Sequence, residues 1–135
     1  MNEWRRLGPD SAERAGLIAL SEHLGVSLRP RALEIAPGTN VELEGVDPEG
    51  RILVQAVLNQ GTYTSQQRNK TLADLFKMQW LRDRSFPGAE IGLLLSPTTS
   101  EAFKPRSWTF IAARELGVRL FVYDAAAGGT ISELS

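Results

Sequence analysis

The sequence predicts a single α/β domain, a mixed β-sheet flanked by helices with elements in the order α-β-β-β-α-β-α-β. Three observations predict it. Three strand candidates in succession are joined by short turn-rich segments, as in antiparallel hairpins. Two later strand candidates each follow a segment of helical periodicity, as in crossover units. The length of 135 residues suits one continuous core and is short for two domains.

Residues 10–24 read as an amphipathic helix: Asp10 or Ser11 can cap its first N–H groups, Leu17, Leu20 and Leu24 recur at helical spacing, and Gly25 suits its end. Residues 31–36 (RALEIA) are a short alternating strand, closed by the turn cluster Pro37-Gly38-Thr39-Asn40. A second strand begins at Val41 and reaches about Val46, and Asp47-Pro48-Glu49-Gly50 turns into RILVQAVL, apolar on both faces and so central in the sheet. From Ser65 to Arg84 the period is helical, with Leu72, Leu75, Phe76 and Trp80 on one side and Pro87-Gly88 beyond the end. Residues 89–95 (AEIGLLL) form a strand, residues 107–116 a helix stopped by Gly117, and residues 118–123 (VRLFVY) the last strand. The core is therefore expected over about 10–123, with the tail 124–135 loose.

Composition narrows the chemistry. Fifteen basic and sixteen acidic side chains leave a formal charge of −1, so any polyanion surface must be a local patch. The helix at 65–84 supplies one candidate, with five basic and two acidic residues. Without cysteine, and with His23 as the sole histidine, disulfides, thiolate sites and histidine-rich metal sites are excluded, which leaves hard oxygen ligands. The opening MNEWRRLGPDSAERAG lacks an apolar signal-peptide core and no segment has the length to cross a bilayer, so a cytoplasmic protein without a membrane partner is expected. Trp80, Trp108, Phe76, Phe110 and Phe121 are spaced as core residues and form no ladder suited to base stacking. A Rossmann-like site is not supported, because Gly61-Thr62-Tyr63-Thr64-Ser65 is too poor in glycine for G-x-G-x-x-G.

The segment Val41–Leu58, VELEGVDPEGRILVQAVL, concentrates the polar groups that could carry chemistry. Period-two geometry puts Glu42 and Glu44 on one face of their strand, and Arg51, Leu53, Gln55 and Val57 on one face of the next. If Glu42 and Gln55 face the same side, a carboxylate and an amide oxygen can meet at a hard divalent cation such as Mg²⁺. On the first helix, Glu13 lies only about 40° from Leu17 and about 20° from Leu24, near the apolar stripe, whereas Glu22 and His23 project away from it. Each residue also has a plain structural reading: solvated acids on a strand face, a satisfied core amide, and an acid favouring a helix N-terminus.

The order of elements, an inward acid in the first helix, acids in the second strand and the triplet Gln55-Ala56-Val57 in the third together resemble the PD-(D/E)xK, or restriction-endonuclease-like, nuclease superfamily over residues 10–123. The glutamine is similar to that of the Mrr-like branch, which reads D…QxK. The resemblance implies a Mg²⁺-dependent deoxyribonuclease acting on DNA, with Glu13, Glu42 and Gln55 as metal ligands and Glu44 as the alternative strand acid. Val57 stands where the family has its catalytic lysine. Some members carry the missing cation on the following helix, where Arg68 falls close to Leu75 on the apolar side while Lys70 and Lys77 share the opposite stripe with Asp74. Arg68 is thus the expected phosphate contact and Lys70 the second candidate. Arginine is always protonated, which makes it a phosphate clamp and a poor base; paired with Glu42 or Glu13 it would instead form a structural ion pair. Two functions are therefore expected in parallel: a PD-(D/E)xK-like domain with an altered site that acts on or binds DNA, and a catalytically inactive interaction or structural domain on the same fold. Homodimerisation and protein partners are left open.

Overall fold

The structure is a computed structural model and describes residues 4–135. Residues 1–3, the start of the segment read above for a signal peptide, lie outside the described residues. Helix α1 (Ala12–Leu24) begins where the Arg14 N–H donates to the Ser11 hydroxyl, and it ends at Gly25, whose φ of 72° is in the left-handed region that glycine tolerates. Strands β1 (Arg29–Ala36) and β2 (Thr39–Val46) form an antiparallel hairpin, and β3 (Ile52–Val57) returns antiparallel to β2. The turn between them is fixed by Asp47, whose Oδ1 accepts the Arg51 and Ile52 N–H groups at 2.6 and 2.8 Å. Helix α2 (Ser65–Ser85) crosses to β4 (Glu90–Leu95). A 3₁₀ turn (Thr99–Phe103) and helix α3 (Trp108–Glu115) cross to β5 (Val118–Asp124). Both crossovers join parallel strands, so β3, β4 and β5 form the parallel half of the sheet.

The strands lie in the order β1-β2-β3-β4-β5-β6, where β6 (Thr130–Leu134) pairs antiparallel with β5. This corrects the expectation of a loose tail. Pairing with β5 occupies the inward-facing backbone groups of Thr130–Leu134, and Arg119 on β5 reaches both Glu133 on β6 and Glu90 on β4.

Alternation of side chains divides the core in two. Leu53, Val57, Ile91, Leu93, Leu95, Val118 and Leu120 pack beneath α2 and α3 with Leu75, Met78, Leu81 and Ala113. Val54, Ala56, Leu94 and Phe121 pack on the opposite face against Leu17 and Leu20 of α1. Trp4 is buried at the edge of this second layer, with the Arg14 and Arg29 guanidinium groups 4.8 and 4.4 Å from its ring centroid. Among the described residues no helix is long and apolar enough to cross a membrane.

The face that α2 buries differs from the expected one. Its buried residues are Thr71, Leu75, Met78 and Leu81, whereas Phe76 and Trp80 are 72% and 41% exposed and Trp108 on α3 is 65% exposed. A threonine can line the core here because its hydroxyl donates to the Gln67 carbonyl at 2.7 Å, leaving its methyl to pack. Of the five aromatic residues expected inside, Phe121 is fully buried and Phe110 partly so.

A candidate acidic site where two strands part

The β2–β3 ladder is in register at Gly45↔Val54 and Val46↔Leu53. Beyond that point side chains take over the backbone bonding. The Ala56 N–H donates to Glu44 Oε1 at 2.9 Å, and the Glu44 N–H donates to Gln55 Oε1 at 3.4 Å. Buried backbone groups must find partners, and here a carboxylate and an amide supply what a neighbouring strand would otherwise provide. The parting opens a cavity of about 250 Å³ lined by Glu13, Glu44, Lys70 and the 56–59 segment at the end of β3. The carboxyl ends of parallel strands are where open α/β sheets hold ligands.

Glu13 reaches this cavity because α1 sits close to the sheet. A Cβ added at Gly45 would lie 2.8 Å from Leu17 Cδ2, and one added at Gly16 would lie 3.0 Å from Leu94 Cδ2. These two glycines therefore set the approach of the helix, and Glu13 lies one turn before Gly16.

Burial pushes the Glu44 carboxyl above its ordinary range. The Ala56 N–H and Arg6 pull it down, and Glu13 and Asp74 raise it again. Arg6 approaches Glu44 Oε2 at 3.9 Å. Burial lowers the Lys77 ammonium against the raising effect of Asp74 and Glu44; its Nζ donates to the Glu42 carbonyl at 2.9 Å. Lys70, at the cavity wall, is 3.3 Å from Asp74.

Of the residues singled out in the sequence, Glu13, Glu44 and Lys70 are brought together. Glu42 lies outside the cavity lining and faces Arg5 at 3.6 Å. Gln55 is buried, and its carbonyl oxygen is engaged by the Glu44 backbone. Val57 is 1% exposed and belongs to the core beneath α2. Arg68, the cation expected at the site, is exposed and does not line the cavity; its charge acts on Tyr63. The physical reason is the rotation of α2. With Thr71, Leu75, Met78 and Leu81 inward, the Lys70–Asp74–Lys77 stripe flanks the buried face on the β2 side, and Arg68 falls on the other flank. Lys77, which donates to β2, was legible only as a member of that stripe.

Among the described residues no three His, Cys, Asp or Glu side chains gather to hold a metal ion. The cavity lining holds two carboxylates, Glu13 and Glu44; Mg²⁺ keeps several waters and needs one or two carboxylates from a protein.

No protein-family model matches the chain, and no curated protein is significantly similar to it. Solved structures do share its fold. An XisH family protein from Nostoc punctiforme superposes with a TM-score of 0.57 at 19% identity, over 91% of this chain and 98% of that one. An FdxN element excision controlling factor protein from Anabaena variabilis superposes with a TM-score of 0.53 at 16% identity, over 90% and 97%. At these identities the likeness is one of fold, a single α/β domain with a six-stranded mixed sheet between helices.

Proposed function

We propose that the chain is a PD-(D/E)xK-like, restriction-endonuclease-like domain whose cavity binds a divalent cation and a phosphodiester of DNA, with Lys70 in place of the triplet lysine. The observation that carries this reading is the convergence of Glu13 from α1, Glu44 from β2, the end of β3 and Lys70 from α2 on one cavity. The fold shared with an XisH family protein and an excision controlling factor supports a nuclease-like or excision-control role. In this reading Glu13 and Glu44 hold the cation, which supplies Lewis acidity and an activated water when bound. Burial, which holds the Glu44 pKa above its ordinary range, disfavours the charged carboxylate, and a bound cation would offset that cost. Lys70 places a point charge at the phosphate.

A second reading is favoured by a specific observation. Glu44 already accepts the Ala56 N–H and faces Arg6, so its carboxylate can serve as a clasp between β2 and β3 with no reaction attached. Thermal shift with Mn²⁺ and Mg²⁺, together with cleavage of single-stranded, duplex and branched DNA, separates the two. The nuclease reading expects a cation-dependent rise in Tm that Glu44→Gln abolishes, and cleavage that Lys70→Ala abolishes while keeping the thermal shift. Absence of both in the wild-type chain leaves the clasp alone.

A further inference from the structure

Helices α2 and α3 cover one face of the sheet, and that layer is unlike the rest of the molecule in charge and in exposed aromatic surface. Helix α2 carries five basic and two acidic side chains, and residues 99–116 carry three and two, in a chain whose formal charge is −1. The helical layer is therefore cationic and the remainder of the chain acidic. Five of the six large hydrophobic side chains exposed among the described residues, Phe76, Trp80, Trp108, Ile111 and Leu116, lie on α2 or at α3, and the sixth, Ile18, lies on α1.

The two features meet on α2. Lys70, Lys77 and Arg84 are seven residues apart, a spacing that drifts by about 20° per step and places them in a nearly straight row at intervals of about 10 Å. Phe76 and Trp80 are neighbours four residues apart on the adjoining stripe. The row begins at Lys70, which lines the acidic cavity. It ends at Arg84, whose guanidinium lies 5.6 Å from the Trp80 ring centroid while donating to the Ile35 carbonyl, and so orders the indole. Lys77 is half-buried and anchored to β2. Exposed rings beside fixed cations form the stacking surface that single-stranded nucleic acids use, because every base has a π-face and duplexed bases do not offer theirs. An apolar protein partner would have no use for a cationic row leading to an acidic cavity.

We infer that the outer face of α2 binds single-stranded nucleic acid, with bases stacked on Phe76 and Trp80 and the backbone following the basic row toward the cavity. This rests on the reading of the cavity as a phosphodiester site, but it is tested without it. Fluorescence anisotropy of labelled oligodeoxythymidine, oligouridine and a DNA duplex is measured with the full chain in EDTA, so that cation binding plays no part. Single strands are expected to bind more tightly than the duplex. Phe76→Ala and Trp80→Ala should each weaken binding by about tenfold, while Trp80→Phe retains most of it. Both aromatic residues are exposed, so the variants should keep the wild-type melting profile, and the Mn²⁺-induced thermal shift should persist in them. Equal affinity for duplex, alanine variants that bind like the wild type, or a self-association that these variants abolish would overturn the inference. Failure of the cavity reading alone would instead show as loss of the cation shift with single-strand binding intact.

Discussion

The Glu44 carboxylate accepts the Ala56 N–H at 2.9 Å across the gap where β2 and β3 part, so one acid both closes the sheet and faces the cavity. Its two duties respond differently to substitution. Glu44→Ala strands a buried N–H and should cost about 1–3 kcal/mol, whereas Glu44→Gln keeps an acceptor. Burial raises the Glu44 pKa above its unfolded value. Between the two pKa values the folded chain holds a proton that the unfolded chain has released. The resulting stability is complete below the unfolded pKa and is lost as pH rises through the folded pKa. Melts from mildly acidic to neutral pH should show this decline in the wild type and its removal in Glu44→Gln, which should match or exceed wild-type stability at neutral pH. A variant whose pH profile overlays the wild type would refute the assignment.

Placing at position 57 the lysine that PD-(D/E)xK nucleases carry there should fail for a packing reason. Val57 is 1% exposed beneath α2, among apolar neighbours, so Val57→Lys forces a longer side chain into a packed site at a cost of about 1–3 kcal/mol. Lys70→Ala removes an exposed i,i+4 pair with Asp74 and should change stability by about 0.5 kcal/mol or less. Urea denaturation of both variants checks the contrast. A stable Val57→Lys chain that gains cleavage would show that a lysine at position 57 supplies the needed cation and that Lys70 does not.

Much of the fold was legible because local chemistry decides it. Alternation and the turn clusters at Pro37-Gly38 and Asp47–Gly50 specify the hairpins, and the helical periods with their caps specify the crossovers. Strand β6 was not legible, since TISEL follows an Ala/Gly run and is held by pairing with β5 and by Arg119, both long-range. Period-two geometry places the acids of β2 on one face, but the choice of Glu44 over Glu42 depends on where the ladder ends, a tertiary outcome. The rotation of α2 was hidden by Thr71, which reads as polar and is fully buried. The same rotation exchanges Arg68 for Lys70 at the cavity and leaves Phe76 and Trp80 outside.

The close approach of α1 predicts a coupled defect. In Gly45→Ala the new methyl would lie 2.8 Å from Leu17 Cδ2, and Leu17 is itself fully buried. Such overpacking costs about 1–3 kcal/mol, and the helix that carries Glu13 must shift to relieve it. The variant should therefore lose both thermal stability and part of any Mn²⁺-induced stabilisation. Gly8→Ala, with nothing within 4 Å of the added carbon, is the control and should resemble the wild type in both measurements.

The last strand should come loose in acid before the rest of the sheet. Arg119 Nε and Nη2 donate to the two Glu133 oxygens at 2.9 and 2.8 Å, and Nη1 donates to Glu90 at 3.3 Å. The Arg119 hydrogen bonds hold Glu133 below the usual carboxylate range. That contribution is present above the unfolded pKa and is lost as pH falls through the folded value. With both side chains 33% exposed, solvent screening limits it to about 1 kcal/mol or less. That is small for the whole domain, yet large for a five-residue edge strand of low local stability. Hydrogen exchange should show Ile131–Leu134 losing protection as pH is lowered, after correction for intrinsic rates, while β3 and β4 stay protected. Glu133→Gln should lower that protection at neutral pH and remove its pH dependence. Uniform loss across all strands, or a β6 indifferent to Glu133, would mean that pairing with β5 alone holds it.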